Sequence, residues 1–274
     1  MARILFAALF SLMLASPSLA QNAAWRFRWQ AGQVLDYRAE HTTSVSELVG
    51  GNKVDLASKL SVVKRWEVIE VDPQGAATVR LLLLAMRHEQ TRPNGETMLF
   101  DSANLDKSTP ELREQMTKFI GQTLAILRVD ALGRVVEVKQ GSASKYEAEP
   151  PFMLLLPGQA VDVGQAWERS YEVTLEPPVG TGEKFAATQR YHLLKADGSL
   201  ATLRLTTTIK SIPENQTDQV PLLQKMPEGD VIFNIAAGRL ESVNVRIDKQ
   251  LQNHQGEGSS YRFISTYQER YIGK

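Results

Sequence analysis

Three short echoes recur in the same order along this chain, and they constrain its fold more than any single motif does. Gly32-Gln33-Val34-Leu35-Asp36 returns as Gly164-Gln165-Ala166-Trp167-Glu168. Ala76-Ala77-Thr78-Val79-Arg80-Leu81 returns as Leu200-Ala201-Thr202-Leu203-Arg204-Leu205, each copy shortly after a turn glycine, Gly75 or Gly198. Ala131-Leu132-Gly133-Arg134-Val135 returns as Ala236-Ala237-Gly238-Arg239-Leu240. Chance matches scramble their order, so the ordered set argues for one β-rich module duplicated and fused. The repeat is too long, and its copies too few, for a solenoid.

Residues around the echoes read as strands. Val34 to Glu40 starts the first module, a polar hairpin is centred on Gly50-Gly51-Asn52, and Leu60 to Val71 runs to a turn at Asp72-Pro73-Gln74-Gly75. The return strand, Ala77 to Met86, carries Leu81 to Leu84 without interruption, which suggests burial on both faces. Thr109-Pro110 then offers a helix cap with proline at the first helical position. Leu112, Met116, Phe119 and Ile120 share one helical face, which is expected to pack on a sheet, and Gly121 suits the C-terminal end. Strands resume at Leu124 to Val129 and Val135 to Val138. Glu149-Pro150-Pro151 marks a joint, because consecutive prolines fit neither a helix interior nor a central strand. In the second module strands are expected at Ala166 to Leu175, Gln189 to Ala196, Leu200 to Ile209, Val231 to Ile235, Leu240 to Leu251 and Tyr261 to Tyr271. One or two helical turns are expected at Val220 to Met226.

The expected fold is therefore mainly β with a minor helical part: two tandem duplicated antiparallel β modules, a covering α-helix in the first and a short helical segment in the second. The boundaries are a leader at 1–20, a first module at 21–148 with its helix near 109–121, a Pro-rich joint at 149–160 and a second module at 161–274. The leader has the three parts of a secretory signal: Arg3, the apolar stretch Ile4 to Ala15, and Ser18-Leu19-Ala20 before Gln21. Its apolar run is shorter than the roughly 20 residues that span a bilayer, so export to the periplasm or the extracellular space is the expected fate. With no cysteine in the chain, disulfides, thiol chemistry, cysteine-held metals and a lipoprotein anchor are excluded. The 31 Lys+Arg balance the 31 Asp+Glu. With no run of one sign, the electrostatic footprint of a nucleic-acid binder is absent.

Chemistry-bearing patterns are scarce. His41, His88, His192 and His254 have no metal-ligand spacing, and each reads as a surface strand residue. There is no G-x-S-x-G elbow and no phosphate-binding glycine loop. Asp101-Ser102 after Leu99-Phe100 is the one local feature with a catalytic look, and its plainer reading is a strand exit whose short polar side chains bond nearby backbone. Asp72, Asp130 and Asp197 fall at turns, and no carboxylate pair is nominated for glycoside hydrolysis. No catalytic residue, cofactor or metal site is assigned. The aromatic stripe of the last strand is more suggestive: Tyr261, Phe263, Tyr267 and Tyr271 share one face. Such a stripe is most often core, but tyrosine can also line a cavity for a partly apolar ligand.

The Gly32-Gln33 start, Trp66-Glu67-Val68 before the turn, Phe100-Asp101-Ser102, the helix ending at Gly121, Val129-Asp130 with Gly133-Arg134, and the Gly164-Gln165-Ala166-Trp167 restart carry one resemblance. The chain resembles an exported bacterial family of unknown function, common in planctomycete-like genomes and built of two β-rich repeats. The resemblance implies export and a β-rich fold and brings no active site with it. The functional expectation is a non-catalytic envelope protein that binds an apolar ligand or lipid between sheet and helix, through Tyr261, Phe263 and Tyr267 with Phe119 and Met116. The alternative is a structural or protein-interaction scaffold with an envelope protein as partner and no small-molecule site. Behind these come a hydrolase assembled from distant residues and a transmembrane β-barrel, which the helix disfavours.

Overall fold

The computed structural model describes residues 24–141, 154–177 and 180–273. The leader and the Glu149-Pro150-Pro151 joint lie outside the described residues. The chain is mainly β, with all its strands antiparallel. The first repeat holds β1 (Val34–Val49), β2 (Asn52–Val71), β3 (Ala77–Thr91), β4 (Thr97–Asp101), helix α1 (Pro110–Met116), β5 (Thr123–Val129) and β6 (Val135–Gln140). The second holds β7 (Ala166–Leu175), β8 (Glu183–Asp197), β9 (Leu200–Ile209), helix α2 (Gln216–Leu223), β10 (Glu228–Asn234), β11 (Arg239–Gln252) and β12 (Ser260–Gly273).

One twelve-stranded sheet contains both repeats, in the order β6-β5-β3-β2-β1-β12-β11-β10-β9-β8-β7, with β4 paired to the outer half of β3. The run β6-β5-β3-β2-β1 is copied strand for strand by β11-β10-β9-β8-β7. Among the described residues β12 has no counterpart, and it joins the copies by pairing with β1 on one side and β11 on the other. The echoed residues occupy matching places. Gly32 and Gly164 donate to the carbonyls of Val68 and Leu193, whose amides in turn donate to Gln33 and Gln165. Both copies then carry a β-bulge one residue on, at Ile69 and at Leu194. Gly75 and Gly198 turn the β2–β3 and β8–β9 hairpins, and Gly133 and Gly238 turn β5–β6 and β10–β11, all at positive φ.

All these turns lie at one end of the sheet, and that end is closed. The β5–β6 and β10–β11 turns are six strand spacings apart along the sheet, roughly 29 Å if it were flat. Yet the consecutive amides of Phe27 and Arg28 reach the carbonyls of Ala131 and Gly238 at 2.8 and 2.9 Å. The sheet must therefore curl until its halves face each other across residues 24–30. Phe27 stacks on Trp29 and meets Phe233 edge-on, and Trp25 meets Trp167 of β7. Residues 154–156 fill the gap between the two free edges, with the Leu156 amide on Leu132 and the Trp167 indole on the Leu155 carbonyl at 2.7 Å. One core results, in which Leu35, Trp66, Val79 and Leu127 of the first repeat cluster with Leu193, Leu203, Val231 and Phe233 of the second. A gap in it beside Trp29 and Tyr37 has about 10 Å³ of free volume, near the size of one water.

The helices depart from expectation. α1 ends at Met116 and tightens into a 3-10 turn over Thr117–Phe119. The change of period swings Phe119 outward, 40% exposed, while Leu112 stays buried on Met98 and Phe100. The apolar helix face of the sequence therefore holds for Leu112, Met116 and Ile120 and fails at Phe119. α2 starts four residues earlier than Val220, capped by the Asn215 side chain on the Thr217 amide at 3.1 Å. It carries Pro221 internally and buries Leu222 and Leu223.

Candidate functional site

At the far end the strands run on beyond the closed core, and strand alternation decides what their inner faces carry. Leu35, Tyr37 and Ala39 of β1 are buried, so His41, Thr43 and Val45 continue the same inward row. Register extends each of these across the sheet. His41 lies between Tyr267 of β12 and Leu60 of β2, and Leu60 is opposite His88 of β3. One row farther out, Thr43 lies between Ser265 and Ser58; the next has Val45 between Phe263 and Leu56. These positions form a floor. α1, packed on β4, flanks it at Met86; α2 flanks it through Leu223, which clusters with Ile247, Phe263 and Val45. Between them Thr43, Ser58, Leu60, Val62 and His88 stay half-buried, and Leu56 is exposed.

The floor is a polar belt behind the apolar outer row of Leu56, Val45 and Phe263. His41 Nε2 sits 2.7 Å from Ser265 Oγ and 3.3 Å from Thr43 Oγ1, with its ring edge-on to Tyr267. His88 Nε2 sits 3.0 Å from Ser58 Oγ. Burial holds both imidazoles below the usual histidine range, so both are neutral at neutral pH. Deeper in, Lys64 Nζ donates to Glu269 at 2.8 Å and to the Tyr267 hydroxyl at 3.2 Å, and that hydroxyl donates to Glu269. The Glu269 side chain is fully buried, so the pair compensates a charge that the core could not otherwise hold.

Among the described residues neither Ser–His contact has the third member of a nucleophilic triad. No carboxylate meets the second nitrogen of either imidazole among the described residues, so no third group orients a base. Groups of three or more metal-ligating side chains are absent among the described residues. Asp101 and Ser102 are engaged with backbone: Asp101 accepts from the Ala103 amide and Ser102 from the Met86 amide, both at 2.9 Å.

Of the residues singled out from sequence, Tyr261, Phe263 and Tyr267 all face inward on β12. Phe263 is buried against Leu223, while Tyr261 and Tyr267 are half-buried. Met116 lies on the opposite flank in α1, and Phe119 points to solvent. The structure thus brings three of the five together and separates the other two by the breadth of the floor. The histidines were misjudged from sequence. His254 is buried, with Nε2 2.9 Å from Glu47, and His41 and His88 line the floor; His192 is half-buried, with Nε2 3.1 Å from the Gly164 carbonyl oxygen. A signal was present, since counting back from the two-residue Gly50-Gly51 turn places His41 opposite Leu60.

No family model and no curated protein matches the chain. Among solved structures, a lipovitellin described for its lipid–protein interactions matches with a TM-score of 0.47 and 11% identity, over 89% of this chain and 25% of the other. The chain thus spans a quarter of the length of that match. DynF from the dynemicin biosynthesis pathway of Micromonospora chersina matches with a TM-score of 0.22 and 6% identity over 98% and 94% of the two chains. An outer membrane channel from Pseudomonas putida F1 gives 0.25 and 9% over 94% and 100%. At these scores none carries a conclusion about this chain's fold or function. No helix among the described residues is long and apolar enough to cross a membrane.

Proposed function

We propose that this chain is a non-catalytic exported protein of the envelope that binds a partly apolar ligand, a lipid in the simplest case, on the inner floor of β1, β2, β3 and β12. The observation that carries the reading is a difference between the two copies of one module. Aligned on Gly32 with Gly164 and on the paired bulges, the His41–Leu60 row of the first copy corresponds to Val173–Phe185 in the second. In the second copy that region is dry: Val173, Leu175, Ala187 and Ile209 cluster under Leu222 of α2. In the first copy α1 is displaced to β4, and the matching surface carries histidines and hydroxyls and stays half-open. A duplicated module needs no such divergence to fold, and uncovered apolar area beside a polar belt suits a ligand.

An environment-sensitive apolar dye should bind the folded protein saturably and be displaced by long-chain lipids. Leu60→Asp, on the half-open floor, should abolish that binding while leaving the thermal midpoint within a few degrees. Absence of saturable binding by the wild-type chain would refute the reading and favour a scaffold without a small-molecule site.

A further inference from the structure

We infer that the ligand's polar end is uncharged, an alcohol, ester or amide group on a long apolar chain, and that it is read by the His41 and His88 pairs flanking Leu60. The inference rests on the apolar-ligand reading above and specifies its head group. A ligand lying on the floor meets three layers in turn. Leu56, Val45 and Phe263 form an apolar outer layer; the imidazoles and hydroxyls form the belt; Lys64 and Glu269 close it on the inner side.

What the belt can recognise follows from its charges. A neutral imidazole both donates and accepts a hydrogen bond, and so do serine and threonine hydroxyls. Such a set pairs with a hydroxyl, which needs both, or with an ester carbonyl, which needs a donor. It does not pair with a carboxylate or phosphate, because desolvating an anion has to be offset by a cation. The cation nearest the belt, Lys64, is already committed to the buried Glu269. That carboxylate, one row behind the belt, would itself repel an anionic head. At the outer rim, opposite Phe263, the inward cation is Lys249 of β11, half-buried and with no carboxylate partner among the described residues. An anionic lipid held there would have to lay its chain inward across the polar belt, which puts apolar carbon on hydrogen-bonding groups. A neutral lipid has its head on the belt and its chain along the outer apolar layer, so each part meets its own kind.

The test compares a long-chain alcohol with the carboxylic acid of the same chain length, each displacing the bound dye at a pH where the acid is ionised. The alcohol should displace at roughly tenfold lower concentration than the acid, about the worth of one or two hydrogen bonds. In the His41→Leu, His88→Leu double variant the alcohol should lose that advantage while the dye still binds. Lys249→Met should change neither lipid's displacement. Equal or stronger displacement by the acid, or acid binding that Lys249→Met abolishes, would overturn the uncharged head and leave the apolar-ligand reading standing. Failure of the dye itself to bind would instead remove the underlying reading.

Discussion

Single residues in this protein are set by what strand alternation brings beside them. Lys64 and Glu269 lie 205 positions apart in sequence, yet they meet at 2.8 Å because β2 and β12 both flank β1. With the Glu269 side chain fully buried, Lys64→Met should leave an uncompensated charge and cost about 3–5 kcal/mol. Adding Glu269→Leu should recover most of the loss. Equilibrium urea unfolding of the single and double variants checks this, and equal destabilisation by both would disprove the compensation. His41 and His88 make a second test through pH. Their folded pKa values lie below the unfolded value of 6.5 because burial opposes the charged form. Their contribution to stability is therefore present above that value and is lost as pH falls through it towards the depressed folded pKa. Unfolding midpoints of the wild type should fall over that window more steeply than those of a His41→Gln, His88→Gln variant. Parallel pH profiles would show that the imidazoles are not buried enough to matter.

Elements follow local rules until packing intervenes. The turn glycines of the sequence echoes all became turns at one end of the sheet, because positive φ at such positions costs glycine little. At Gly238 the reason is doubled: φ is +62° and an added Cβ would lie 2.4 Å from Arg28 Cγ and 2.7 Å from the Arg28 amide nitrogen. The Thr109–Gly121 segment shows where a local rule stops. Its 3.6-residue periodicity marks four residues, but the chain must bring Ile120 to Leu83 and the Gly121 amide to the Leu83 carbonyl at 2.8 Å. That anchor tightens the last turn and turns Phe119 out. Leu112→Ala should accordingly cost about 2–5 kcal/mol as a core truncation, and Phe119→Ala should stay within about 0.5 kcal/mol as a surface change. Chemical denaturation midpoints at unchanged slope decide it, and the reverse ranking would mean that the helix packs by its full apolar face.

At the scale of the whole molecule, the two repeats are not two separate cores. They share one sheet through β12 and one apolar cluster through residues 24–30 and 154–156. Unfolding should therefore be a single transition, coincident by tryptophan fluorescence and far-UV circular dichroism. Phe27→Ala, which empties the contact among Trp29, Phe233 and the Gly133 turn, should lower that common midpoint by about 3–5 kcal/mol of stability. Two separable transitions, with only one moved by the substitution, would contradict a shared core.

By itself the sequence determined the β class, the repeat, the turn positions and the inward aromatic face of β12. All of these are written in neighbours a few residues apart, through backbone conformation and the two-residue period of strands. The tertiary structure alone decided that the repeats join in one curled sheet, that Phe119 turns outward, and that His41, Ser265, Leu60, Ser58 and His88 share a floor. Those outcomes depend on pairings between distant segments, such as His41 with Ser265, 224 residues apart, fixed by strand order and by the threading of residues 24–30 across two distant turns. Local chemistry specifies each strand equally well for many orders of strands; only the closing of the core, which requires both repeats and both threaded segments at once, selects among them.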